Sequence, residues 1–382
     1  RGRIVADAGS AGNATSVTVE IRTPKPMARS QELLWTAQRL RPDVPLANTA
    51  NVYRIAGPLD AERLVDSFDA VVRAADALRT VIVDIGGAPH PQVLAEPPAR
   101  TEVIELGPDQ LDDWLADRIA DPLPMDRCPY DSVLIRHAAD DWSWFVDIHH
   151  VIVDAWATAL VFRATVDDYH GRPIDLPSFE DHLVSVAAAS ESESSKRADA
   201  HWAVARESNP PTTFYRRGPD TTRSFRIPVG FDASRREALD RLLTEDLRPL
   251  SRDLGVLAAI TTATVVYLHR LTQQPVVRVA VPVHHRRTAE ERRTIGLLME
   301  LFPLEVEVEA HDTLRTLDEK VMRALITMLR WARPGTSPRL DVDVVVNVIT
   351  AQCGSFGEFP TTTTWIHSGH VDPVHKLRVQ YY

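Results

Sequence analysis

Between residues 142 and 170 the hydrophobic period of the chain changes. Trp142, Trp144, Val146 and Ile148 alternate with Ser143, Phe145 and Asp147. That period of two predicts a strand buried on at least one face. Further on, Ala157, Leu160, Val161 and Ala164 repeat at helical spacing and predict a helix that stops at Gly171. Residues 132–137 predict the hairpin partner of the strand, across the polar turn 138–141. Upstream, Leu64, Phe68 and Val71 stripe a helix over residues 60–75, with Asp60 as its cap.

The remaining pattern alternates in the same way. Residues 31–40 and 108–121 predict helices, and residues 50–56 and 78–85 predict strands closed by Gly57–Pro58 and Gly86–Gly87. Residues 91–94 and 101–106 predict short extended pieces. A helix is expected over 179–204, with the Ser/Glu tract 190–195 as its solvated face. In the second half, 224–229, 276–283, 297–308, 341–349 and 377–382 predict strands. Residues 234–243, 253–271 and 313–331 predict helices. The run 276–283 (VVRVAVPV) is continuously apolar, as in a strand covered on both faces. Strands alternating with helices argue for an α/β or α+β fold.

Residues 149–156 (HHVIVDAW) therefore lie on a strand-to-helix loop, where a rigid scaffold holds polar groups at a cleft. Adjacent histidines rarely share a metal, and neither HExxH nor a Cys pair accompanies them, so no metal is expected. No GxSxG elbow offers a nucleophile. A histidine of near-neutral pKa remains, as general base or proton-positioning group. Asp154 either holds the loop in shape or simply caps the following helix.

Composition narrows the partners. The chain has 382 residues, 44% hydrophobic and 25% charged, with a net charge of -10. Its length suits one large or two medium units. The negative balance argues against nucleic acid or an anionic membrane as partner. Cys128 and Cys353 make no disulfide framework, and a reducing cytoplasm is the default. The apolar run 254–268 is interrupted by threonines and reads as a buried helix rather than a span. Residues 1–23 read as a mobile leader with no signal peptide, and the missing initiator Met suggests a trimmed end. Asn209–Pro210–Pro211 and Gly218–Pro219 mark a linker over 207–222. Expected lobes are thus 24–206 and 223–382.

The HHVIVDAW stretch resembles the HHxxxDG motif of nonribosomal peptide synthetase condensation domains, within the chloramphenicol acetyltransferase-like superfamily. Ala155 stands where the motif has Gly. It falls at the first helical position, where Ala is comfortable. Other segments extend the resemblance in order. Residues 30–40 (SQELLWTAQRL) resemble the opening motif, and residues 73–81 (RAADALRTV) the one ending in LRT. Residues 344–349 (VVVNVI) resemble a late strand carrying an Asn. At 295–306 the match to IGxFVNT is loose, with Glu300 where that segment has Asn.

The resemblance implies two chloramphenicol acetyltransferase-like lobes in a V-shaped pseudo-dimer with a central tunnel. It places catalysis on His150, with His149 supporting the loop and Asp154 pairing with Arg79 of the LRT motif. Tyr169, Trp202 and Asn347 become tunnel candidates. The second His pair, His284–His285, with Arg286 and Arg287, has no catalytic counterpart in the family and reads as a solvated loop. The family also has further strand and helix where this chain ends, so the second lobe is expected to be short. The implied reaction joins an acyl or aminoacyl thioester to an amine or alcohol, giving an amide or ester. The donor rides on the phosphopantetheine arm of a carrier protein, with no bound cofactor. A coenzyme A-dependent relative, an epimerisation domain and a non-catalytic recruiting module are the alternatives. No EGHGRE-like segment supports the epimerisation domain, and the retained motif His argues against the recruiting module.

Overall fold

The computed structural model describes residues 26–208, 221–247, 251–338 and 342–382. The expected leader and most of the expected linker lie outside these residues. In chain order the first half holds α1 (Arg29–Leu40), β1 (Asn48–Ala56), α2 (Ala61–Ala74), β2 (Thr80–Ile85), β3 (Ala88–Val93) and β4 (Glu102–Glu105). It continues with α3 (Leu111–Arg118), β5 (Tyr130–Ala138), β6 (Asp141–His149), α4 (Ala155–Tyr169), α5 (Phe179–Ser190) and α6 (Glu193–Ser208). The second half holds α7 (Ala233–Arg241), α8 (Arg252–Thr272), β7 (Val276–Val283), β8 (Glu300–Glu307), α9 (Leu314–Trp331), β9 (Val344–Val348), β10 (Thr361–Ile366) and β11 (Leu377–Tyr381).

Two sheets organise these elements. The first runs β10-β1-β6-β5-β4 and the second β11-β9-β7-β8, while β2 and β3 form a separate hairpin. In the first sheet Trp144, Val146 and Ile148 of β6 face a core shared with Phe68 of α2 and Phe162 of α4. On the opposite face Phe145 packs with Val52, Val133 and with Leu111 and Leu115 of α3. Both faces of β6 are covered, which explains why Phe145 interrupts the polar positions of the alternation. The second sheet packs against α8 and α9 through Val279, Val281, Phe302, Val265 and Leu325. α8 extends beyond the apolar run to 21 residues, long and apolar enough by composition to cross a membrane. Here it lies against α9, β7 and β9, with Ala258, Val265 and Leu268 buried.

Three sequence expectations change. The helix over 179–204 breaks after Ser190, because the serine tract satisfies the chain ends itself. Ser192 Oγ accepts the Ser195 N–H at 3.3 Å, and Ser195 Oγ donates to Ala189 O at 3.0 Å. Residues 224–229 form no strand; beside them Arg223 bridges His370, and Ser224 meets the 367–371 segment through its N–H to Gly369 O at 2.8 Å and its hydroxyl 3.4 Å from His367 Nε2. The division into lobes at the linker is crossed in both directions. β10, from the second half, pairs antiparallel with β1, while Trp202 of α6 packs in the second core against Phe302.

The halves also meet where Gly296 faces Phe179. A Cβ built on Gly296 would lie 2.2 Å from Phe179 Cδ2, and the Phe179 ring is itself buried. Gly296→Ala is expected to lose about 1–3 kcal/mol by overpacking. Calorimetry would show this as a lower melting temperature, recovered when Phe179 is shortened to Leu. An unchanged Gly296→Ala protein would mean that the junction yields.

Candidate active site

The motif loop leaves the central strand of the first sheet and enters α4. Asn48 of β1 lies opposite His149 in the ladder, so the sheet fixes where the loop starts. Ala155 opens α4, as its helix preference suggested. Asp154 is the N-cap, accepting the Ala157 N–H on Oδ1 at 2.8 Å.

The two histidines are held differently. His149 is fully buried, and its Nδ1 accepts the Val151 N–H at 3.1 Å. The ring proton therefore sits on Nε2, which has no hydrogen-bond partner among the described residues. Burial, and then the neighbouring His150, push its pKa down to about 3, so it is neutral. His150 is half-buried. Its N–H donates to Ala47 O at 2.7 Å, and its Nδ1 lies 2.6 Å from Val153 O. A carbonyl can only accept, so Nδ1 carries the proton and Nε2 presents a lone pair. Burial lowers the His150 pKa, against the opposing Val153 carbonyl and Asp154, and the charge of Arg378 lowers it further.

Asp154 does not pair with Arg79. Its Oδ2 accepts from Arg286 Nη1 at 2.7 Å and from the Leu298 N–H at 3.0 Å. Arg79 instead donates Nε to Val72 O at 3.2 Å and Nη1 to Leu94 O, tying the end of α2 to the end of β3. The last carbonyls of a helix lack partners within it, and a nearby guanidinium supplies them. Asp76, in the same segment, serves α5, accepting from Phe179 N at 2.8 Å, Glu180 N at 2.9 Å and Ser178 Oγ at 2.6 Å. The LRT segment is thus a hub of helix caps.

Arg286 was missed by sequence reasoning, and the solvated-loop reading of its segment is overturned. Its side chain is fully buried, as is most of His285. Besides Asp154 it donates Nη1 to His284 O, and Nη2 to Thr294 O and Gly296 O, at 3.2–3.3 Å. It connects the β7–β8 segment of the second half to the motif loop of the first. The available signal was Asp154 itself, because a buried carboxylate needs a cation, and HHRR follows directly on a buried strand.

The other candidates separate. Tyr169 lies in the first core, its hydroxyl accepting the Asp60 N–H at 2.9 Å and its ring edge-on to Phe356. Trp202 lies in the second core and donates Nε1 to Trp331 O at 3.2 Å. Both side chains are buried within the two cores. Asn347 is half-buried on β9, opposite Gln380 of β11. Glu300, the departure from IGxFVNT, is buried and accepts the N–H groups of Gly335 (2.6 Å) and Ser337 (3.1 Å).

The buried groups predict a pH response of stability. The unfolded His149 and His285 titrate near 6.5, whereas in the fold burial pushes both down to about 3. Their contribution is complete above 6.5 and is lost as pH falls from 6.5 toward 3. Asp147 runs the other way, raised from 3.8 to about 7 by burial against its Asn48 hydrogen bond. Its contribution is complete below 3.8 and is lost as pH rises through about 7. His149→Asn should flatten the acid side by up to about 1.4 kcal/mol per pH unit. Asp147→Asn should flatten the neutral side. Urea unfolding from pH 5 to 8 measures both, and unchanged slopes would contradict them.

A neutral imidazole on a loop tied to the facing half by Asp154 and Arg286 belongs to the class of sites that can accept a proton. Comparison with known proteins narrows that class to one family. The condensation domain family model matches residues 22–335. The chain belongs to the condensation domain family, the units that form amide bonds in nonribosomal peptide synthesis. It is 27% identical over 335 residues to isonitrile lipopeptide synthase of Streptomyces coeruleorubidus, covering 82% of this chain and 22% of that one. It is 23% identical over 302 residues to surfactin synthase subunit 1 of Bacillus subtilis (strain 168), covering 77% of this chain and 8% of that one. The chain thus spans only a minor part of these relatives. Two solved structures share the fold at 20% identity and cover 92% of this chain. They are the starter condensation domain of rhizomide synthetase (TM-score 0.76, 84% of that chain) and the first condensation domain of the calcium-dependent antibiotic synthetase (TM-score 0.74, 86% of that chain).

Proposed function

We propose that the chain joins an acyl or aminoacyl group, carried as a thioester on the phosphopantetheine arm of a carrier protein, to an amine acceptor. The observation that carries this is the state of His150: neutral, protonated at Nδ1, with Nε2 open. The acceptor nitrogen attacks the thioester carbonyl and Nε2 takes or positions its proton. The carbonyl oxygen gains charge, and collapse expels the thiolate, which recovers the proton. His149 is the neutral support beneath the loop. Asp154 and Arg286 hold the loop, and Asn347 stands as the remaining tunnel candidate.

Carrier and acceptor are tested together. The same acyl group is offered on a carrier, on a small pantetheine thioester and on coenzyme A, each with an amine and an alcohol. Intact-protein mass spectrometry should show fastest transfer from the carrier, with amide as product. A second reading, a coenzyme A thioester donor, is favoured by the rhizomide neighbour, whose structure holds C8-CoA. Faster turnover from coenzyme A than from any carrier would establish it instead. Ester as the only product would overturn the amine assignment.

A further inference from the structure

Gln31, in the first turn of α1, is a polar residue with no exposure to solvent. Its Oε1 accepts the Ala28 N–H at 3.0 Å and so caps the start of α1. That bond fixes which end of the amide faces the motif loop, and Nε2 donates to Val151 O at 2.9 Å. Trp35, one turn on, seats α1 in the same core as Val151, Ile152 and Val153. These three residues are fully buried, and among the described residues no backbone N–H serves the Val151 carbonyl. Val151 is thus held on both sides, its N–H by His149 Nδ1 at 3.1 Å and its C=O by Gln31. The loop is anchored before it by the His150 N–H on Ala47 O at 2.7 Å, and after it by the Thr158 N–H on Asp154 O at 2.9 Å. Val153 O, which takes the His150 Nδ1 proton at 2.6 Å, lies between these anchors. The Val151 bonds therefore set the course of the chain from His150 to Val153.

We propose that Gln31 is a positioning residue of the condensation site. By holding the Val151 carbonyl it keeps the Val153 carbonyl against Nδ1 of His150, and so keeps the imidazole in the tautomer whose Nε2 carries the lone pair. The inference rests on the condensation reading above. A buried carbonyl without a donor is costly, so without Gln31 the peptide after Val151 turns to find another partner. The peptide plane is rigid and φ and ψ are the soft angles, so this turn is passed on to Ile152 and Val153. His150 Nδ1 then loses its acceptor. A neutral imidazole with no fixed acceptor shares its proton between its two nitrogens. Each molecule with the proton on Nε2 lacks the lone pair that the reaction uses. Gln31 is buried and acts through the loop, so its effect falls on rate rather than on binding of the carrier.

The test compares Gln31→Met, which keeps the length and removes the donor, with Ala28→Pro. Ala28 has a φ of -67, which proline adopts, so Ala28→Pro deletes the N–H on Gln31 Oε1 and leaves the Val151 bond in place. With a loaded carrier and an amine, Gln31→Met should lower kcat by about 10- to 100-fold, the effect of a displaced catalytic group, with KM nearly unchanged. Nitrogen NMR of labelled histidines should show His150 protonated at Nδ1 in the wild type and a mixture of tautomers in Gln31→Met. Ala28→Pro should keep both the rate and the tautomer. Wild-type kcat in Gln31→Met overturns the proposal, as does a lower kcat with an unchanged tautomer, which would mean general loosening. An equal loss in Ala28→Pro also overturns it, by placing the role of Gln31 at the helix cap. If Gln31→Met does not fold, Gln31→Asn decides, because it keeps an amide but is one methylene too short for Val151 O. Mixed tautomers and a lowered kcat there support the proposal, and wild-type values overturn it. If no donor supports condensation even in the wild type, the functional reading fails, and the NMR comparison still decides: one and the same His150 tautomer in wild type and Gln31→Met overturns the role of Gln31.

Discussion

Replacing His150 by alanine is expected to lower the rate of amide formation by about 10²- to 10⁴-fold, the usual span for acid–base catalysis. The fold should survive, because the His150 N–H···Ala47 O bond belongs to the backbone and the side chain makes its hydrogen bond within its own loop, to Val153 O. Single-turnover transfer from a loaded carrier gives the rate, and calorimetry gives the stability. Full activity in a folded His150→Ala protein would remove His150 from the chemistry. Acidification should mimic the substitution, because protonation consumes the Nε2 lone pair. Since burial sets the pKa below 6.5, activity should hold at neutral pH and fall only on the acid side of that value.

The second large effect is expected at the link between the halves. Asp154→Ala leaves the Arg286 guanidinium fully buried without its carboxylate, and Arg286→Ala leaves Asp154 in the same state. Each should cost about 3–5 kcal/mol. Because Asp154 also caps α4 and receives the Leu298 N–H, activity should fall with stability as the His150 loop loosens. The double substitution should cost clearly less than the sum of the two, since the second removal leaves no further stranded charge. Arg79→Ala is the contrasting control. It removes two hydrogen bonds to carbonyl groups, worth about 1 kcal/mol each, and should leave the Asp154 environment untouched. If instead Arg79→Ala matched Asp154→Ala and Arg286→Ala proved neutral, the observed pairing would be wrong.

These two sites differ in how far the sequence reached. His150, His149, Asp154 and the start of α4 at Ala155 were all readable from residues 142–164. There the strand and helix periods are local, and the loop lies between them. The hairpin of β5 and β6 was readable for the same reason. The partner of Asp154 was not. Arg286 lies 132 residues away, in a segment whose composition looks solvated. Whether a charged residue is exposed depends on what folds over it, and sequence proximity to a hydrophobic strand does not decide that. Tyr169 and Trp202 show the converse. An aromatic in an amphipathic helix has the same signature on a core face as on a cleft wall, and here both lie in cores.

Local pattern also could not place β10. A strand of mostly threonines predicts little by itself, and its pairing with β1 joins residues about 300 apart in the chain. By itself, then, the amino-acid sequence determined the alternation of strands and helices, the HHxxxD loop and the resemblance to condensation domains. Those features rest on side-chain periodicity and on residue types within about ten positions of one another. Only the tertiary structure decided which cation locks the loop and which strand completes the first sheet. Each of these is a pairing of polar groups across the chain. Such pairings are selected by desolvation: a carboxylate such as Asp154, once buried, is stable only where the fold delivers a donor to it.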